Sequence, residues 1–117
     1  MDIAKQLVGS PYRWSGASPS GFDCSGFTSY VYGQAGIGIP RDLGGQLNAG
    51  LSISVDDLQP GDLLIFKNTY AQGLSHAGVY IGNGQFIDAQ DEADGVVVNL
   101  LDQWAGHFAG ASRPWGR

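Results

Sequence analysis

A thiol, an imidazole and a carboxylate at Cys24, His76 and Asp88 are side chains whose types combine into nucleophilic catalysis. Cys24 is the one cysteine of the chain, so it has no intrachain disulfide partner. One thiol with two histidines is also too small a set of soft ligands for a structural zinc site. The thiol is then either catalytic or an inert packed residue, the commoner fate of a free cysteine. A catalytic thiol needs a histidine partner, for which His76 and His107 are available.

The run Gly21-Phe22-Asp23-Cys24-Ser25-Gly26-Phe27 carries glycines that permit tight turning and close backbone approach. From Cys24 to Tyr32 the apolar residues Phe27, Tyr30 and Val31 recur at helical spacing, so a helix is expected to start at Asp23-Cys24 and stop before Gly36. Unpaired N–H groups and the positive end of the helix dipole favour a thiolate there, and the same groups suit the oxyanion of a tetrahedral intermediate.

Residues 61–66 and 76–81 are short apolar runs with β-branched or aromatic residues and read as strands, with turn formers Asn68 and Gly73 between them. His76 opens the second run between Ser75 and the small residues Ala77 and Gly78, which are expected to leave room for a substrate and a thiol, the access a general base needs. The alternative is a strand-end histidine with a satisfied ring. Gly82-Asn83-Gly84 is a strong turn signal, so residues 85–89 are expected to pair antiparallel with 76–81 and to bring Asp88 beside His76. A carboxylate there accepts the imidazole N–H and fixes its tautomer. The competing reading is a solvated aspartate like its acidic neighbours Asp91, Glu92 and Asp94.

Six ordered pieces carry a resemblance: residues 11–16 (PYRWSG), 23–26 (DCSG), Pro40-Arg41 with Gln46, 59–63 (QPGDL), 76–82 (HAGVYIG) and 86–89 (FIDA). Together they resemble the NlpC-type cysteine peptidases, a papain-like family that cuts bacterial cell-wall peptides. The resemblance implies an α+β domain with the nucleophile at a helix N-terminus packed on an antiparallel sheet. It implies hydrolysis of the amide between γ-D-glutamyl and a diamino acid in peptidoglycan stems, with Cys24 as nucleophile, His76 as base and acid, and residue 88 as orienter. It also implies that Tyr12 lines the site and that Asp23 and Ser25 bind substrate, although core packing for Tyr12 and helix capping for the other two fit their types as well. The chain departs from the pattern in having Asp88 where a second histidine is usual, and Asp42 and Leu43 where small hydroxyl residues are usual. No cofactor and no metal are implied.

The chain of 117 residues is expected to form one domain, residues 1–117, large enough for a sizeable core. A net charge of −5 with scattered basic residues argues against a nucleic-acid partner. No apolar run approaches the roughly 20 residues of a membrane span, and no secretory signal pattern opens the chain. A wall substrate lies outside the cytoplasm, so an extracellular or periplasmic site of action is expected, with fusion to or association with a wall-targeting, phage-tail or secretion component. A catalytically silent wall-binding or assembly domain is the alternative of another class, because fold does not fix function.

The remaining expectations are a short helix over residues 2–8, helix or loop over 40–50, a strand at 96–98, a helical turn within 100–108 and a last strand over 109–113. His107, in a setting without counterpart in the family pattern, is expected on the surface or in packing.

Overall fold

The computed structural model describes residues 2–115. The first helix, α1 (Asp2–Gln6), stops two residues short of the expected Val8. Gly9, at φ +96°, turns the chain so that its N–H reaches the carbonyl of Val96 at 2.9 Å. Two short strands that the sequence did not announce, β1 (Ala17–Ser18) and β2 (Gly21–Phe22), form a small antiparallel hairpin leading into α2 (Cys24–Gln34). That helix has the expected bounds, with Gly36 at φ +83° just past its end.

Within residues 40–50 one helical turn forms, α3 (Leu43–Leu47), and Asp42 caps it by accepting the N–H of Gly45 at 2.8 Å. This accounts physically for the carboxylate that departs from the family pattern. Gln46 is wholly buried, donating to the carbonyls of Pro40 and Ser25 at 2.9 and 3.1 Å and accepting from Thr28 Oγ1 at 2.6 Å, so it ties this segment to α2.

The remaining strands are β3 (Leu51–Ile53), β4 (Leu63–Lys67), β5 (Leu74–Gly82), β6 (Gln85–Ala89), β7 (Val96–Leu100) and β8 (Phe108–Arg113). They form one antiparallel sheet in the order β3-β8-β4-β5-β6-β7, with a 3₁₀ turn over Leu101–His107 before the last strand. The architecture is the expected α+β one, the helix that opens at Cys24 packed on an antiparallel sheet.

The sheet is covered on both faces, which is why Leu63-Leu64-Ile65-Phe66 is a continuous apolar run. Leu63, Ile65, Ala77, Val79, Ile87 and Ala89 face Phe22, Phe27, Val31 and Tyr32, while Leu64, Phe66, Phe86 and Ala111 lie under Leu101, Trp104 and Phe108. Each fully buried side chain of this size is worth about 1.5–3 kcal/mol relative to exposure. Asp62 of the 59–63 motif is structural: it accepts from Gln59 N at 2.8 Å and from Arg113 Nε at 2.7 Å, locking the start of β4 to the end of β8.

Candidate active site

Asp23 caps α2, its carboxylate accepting the N–H of Gly26 at 2.7 Å, and Cys24 is therefore the first helical residue. The N–H groups of this first turn have no intrahelical carbonyl to bind. A Cβ on Gly26 would stand 1.9 Å from the carbonyl oxygen of Gly16, so only glycine lets the loop before β1 pack on the helix start. Cys24 is 5% exposed, and its Sγ donates to the carbonyl of Ser75 at 3.8 Å, next to His76 on β5.

The pairing Phe66↔His76 puts the imidazole on the sheet face that carries Phe66 and Phe86, the one covered by the 3₁₀ turn. Asp88, on neighbouring β6, points the same way, and its Oδ2 lies 2.6 Å from His76 Nε2. One strand further, Asn99 Nδ2 donates to the other carboxylate oxygen at 2.6 Å and to Gln90 Oε1 at 2.7 Å. Trp104 stacks on the imidazole, with centroids 5.2 Å apart and planes 20° apart.

His76 is 3% exposed and Asp88 0% exposed. Asp88 is thus no solvated strand-end residue, unlike Asp91 and Glu92. Burial works against a charge on His76, but hydrogen bonds to Asp88 and Cys24, together with their charges, outweigh it and push the imidazole up to about 9. At neutral pH the ring is an imidazolium that donates Nε2–H to Asp88.

The space expected beside Gly78 is taken. A Cβ there would stand 2.6 Å from Phe86 Cδ2, so the glycine makes room for a core ring and not for substrate. Tyr12, half buried, shares a hollow of 420 Å³ with Trp14, Tyr70, Gln90 and Glu92, among others. Burial pushes its hydroxyl up to about 12, helped by the charges of Cys24, Asp23, Tyr70 and Glu92. A second hollow of 280 Å³ is walled by Tyr70, His76, Gln90, Asp91 and Trp104, with Thr69. A roomier groove of 610 Å³ follows the β3–β8 edge, lined by Leu51, Asp57 and Arg113 among others, with neither Cys24 nor His76 in its wall.

Asp23 and Ser25 are both engaged by Arg41. The guanidinium reaches both carboxylate oxygens of Asp23 at 3.0 Å and donates to Ser25 Oγ. Asp23 therefore caps the helix and is neutralised at the same time. His107 is exposed at the end of the 3₁₀ turn, its Nδ1 3.1 Å from the carbonyl oxygen of Lys67, and takes no part in the cluster.

The NlpC/P60 family model matches residues 9–113. The chain belongs to the NlpC/P60 family. It is 49% identical to "Probable endopeptidase p60" of Listeria seeligeri over 88 residues, 75% of this chain and 16% of that protein. It is 41% identical to "Gamma-DL-glutamyl hydrolase" of Bacillus subtilis over 114 residues, 94% of this chain and 27% of that one. Among solved structures, the NlpC/p60 domain of peptidoglycan hydrolase SagA superposes with a TM-score of 0.83 at 39% identity, covering 96% of this chain and 93% of that one. The chain thus spans between 16% and 27% of the length of the two curated relatives.

Within this NlpC/P60 domain, three members of the site escaped sequence reasoning. Asn99 carried a signal, being the lone polar residue in the run Val96-Val97-Val98-Asn99-Leu100-Leu101. Arg41 was visible as a motif residue but not as the partner of Asp23. Trp104 carried none, because its contact with His76 depends on how the 3₁₀ turn folds over the sheet.

Proposed function

We propose that this chain is a cysteine endopeptidase that hydrolyses peptidoglycan stem peptides, cutting the amide between γ-D-glutamyl and the diamino acid, and that residues 1–117 act as one domain. The observation that carries the reading is the hydrogen-bonded series His76, Asp88, Asn99, which crosses three strands beside the helix N-terminus that bears Cys24, whose Sγ reaches the carbonyl of Ser75 next to His76. The names of the relatives, an endopeptidase, a γ-DL-glutamyl hydrolase and a peptidoglycan hydrolase, point to the same substrate class.

In this mechanism Cys24 Sγ, as thiolate, attacks the scissile carbonyl carbon, and the oxygen takes up negative charge facing the free N–H groups of the first turn of α2. The imidazolium of His76 gives its Nδ1 proton to the leaving amine, the C–N bond breaks and a thioester remains. His76, now neutral, takes a proton from water as it attacks the thioester, which releases the γ-carboxylate and restores the ion pair. Asp88 holds the ring by Nε2 throughout, and Asn99 holds Asp88. Tyr12 borders the bound peptide. Asp23 and Ser25 shape the same wall through Arg41.

Incubation of the protein with purified peptidoglycan, followed by mass spectrometry of the soluble fragments, tests the proposal. Fragments ending in γ-D-glutamate and beginning with the diamino acid are expected, and none with Cys24→Ala. Undigested wall would refute the activity, and fragments cut elsewhere would refute the assigned bond.

A further inference from the structure

We propose that Gln90 is a positioning residue for the imidazole of His76: from the wall of the cleft it keeps the Asn99 amide turned toward Asp88, and through Asp88 it holds the ring in line. The inference rests on the reading above and adds to it a residue that acts at two removes from His76.

Asn99 Nδ2 lies 2.6 Å from Asp88 Oδ1 and 2.7 Å from Gln90 Oε1, so its two N–H groups are both spent, one on each oxygen. A carboxylate only accepts, which fixes the nitrogen of Asn99 toward Asp88. At the far end Gln90 Nε2 donates to Asp94 Oδ2 at 3.0 Å, and that carboxylate fixes the oxygen of Gln90 toward Asn99. Each amide is thus held one way round by an acceptor-only group. Without the Gln90 oxygen, the Asn99 amide is free to rotate and to present its own oxygen to Asp88, the group that aligns His76 Nε2.

The side chain of Gln90 is not what builds its loop. Residues 90–95 are closed by backbone bonds, Gln90 N–H to the Gly95 carbonyl at 2.9 Å and Gly95 N–H to the Asp91 carbonyl at 2.8 Å, and the Asp91 carboxylate accepts the N–H of Asp94 at 2.8 Å. Val96 N–H, 2.9 Å from the carbonyl of Ser10, pins the end of the loop to the N-terminal segment. The half-buried Gln90 amide nevertheless stands where the two hollows meet, in the wall of one with Tyr12 and of the other with His76 and Trp104. It follows β6 directly and acts with the strands behind it.

The test is a double-mutant cycle between Gln90→Met, which keeps the length of the side chain and removes its amide, and Asn99→Leu, with kcat and KM measured on the peptide Ala-γ-D-Glu-Lys-D-Ala. Gln90→Met is expected to lower kcat about ten-fold at unchanged KM, and to lower it no further once Asn99→Leu is present. Gln90→Glu combined with Asp94→Asn exchanges donor and acceptor at the outer bond but keeps an oxygen facing Asn99, so it is expected to recover most of kcat. Losses that add in the double variant, a loss carried by KM instead of kcat, or failure of the exchange to restore kcat would overturn the assignment. If Asn99→Leu does not fold, Gln90→Met and the exchange variant decide by themselves. Should the wild type cut nothing, the hydrolytic reading fails alone, and the Nε2–H proton of His76, followed by NMR, decides the inference. Faster exchange of this proton with water in Gln90→Met than in wild type supports it, and equal exchange overturns it.

Discussion

The His76 side of the cleft and the Tyr70 side are built in opposite ways. His76, Asp88 and Asn99 stand on three adjacent strands, and the first two are 3% and 0% exposed. Trp14 and Tyr70 stand on loops and are 66% and 63% exposed. A proton must move between atoms held to a fraction of an ångström, which strands and core packing provide. A substrate must enter and leave, which calls for surfaces that are not yet satisfied. Substitutions on the strand side are therefore expected to act on kcat and folding, and those on the loop side on KM.

The largest effect is expected from Cys24→Ala, which should remove hydrolysis entirely while leaving the thermal midpoint within a few degrees, since one buried sulfur is lost and no large cavity opens. Measurable turnover would end the thiol mechanism.

Asp88→Asn should lower kcat on the order of 10²-fold. It should also move the pH profile. In the wild type the imidazolium of His76 persists until the pH rises through about 9, so the alkaline limb of kcat/KM is expected near 9. Removing the anionic acceptor shifts that limb to lower pH. The same displacement carries a stability consequence: because the folded value lies above the ordinary 6.5, the stabilisation is complete below pH 6.5 and is lost as pH rises toward 9. Melting curves should fall across that window in wild type and be flatter in His76→Gln. An unchanged limb in Asp88→Asn would detach Asp88 from the imidazole.

Trp104→Ala should cost about 2–3 kcal/mol and lower kcat, since it removes the ring stacked on His76 and packed on Phe66 and Phe86. Trp104→Phe should recover most of both. Gly78→Ala should cost about 1–3 kcal/mol by forcing Phe86 aside, with KM unchanged, because the displaced ring belongs to the core and not to the cleft. The smallest effect is expected from Tyr70→Ala: a rise of a few-fold in KM at constant kcat and constant melting temperature, read from steady-state kinetics on a stem peptide. A change in kcat of similar size would erase the contrast between the two sides.

How much of this could be read from the chain depended on how local each signal was. The helix from Cys24 to Gln34 was legible because its cap, its apolar spacing and Gly36 lie within one short segment. The hairpin of residues 74–89 was legible because Gly82-Asn83-Gly84 sets its turn, and with it the approach of Asp88 to His76. The short strands at 17–18, 21–22 and 51–53 were not, since two or three residues carry no periodicity and owe their pairing to distant partners.

Residue types and near-neighbour spacing alone determined the helix that presents Cys24, the hairpin that carries His76 and Asp88, and the turn residues that join them, because propensity, capping and alternation act over a few residues. Tertiary structure alone decided that Asp88 is buried and held by Asn99, that Trp104 covers the imidazole, that Phe86 fills the space beside Gly78, and that Arg41 neutralises Asp23. Each of these joins segments separated in the chain, and burial and charge pairing exist only once the sheet, the helix and the 3₁₀ turn have closed on one another.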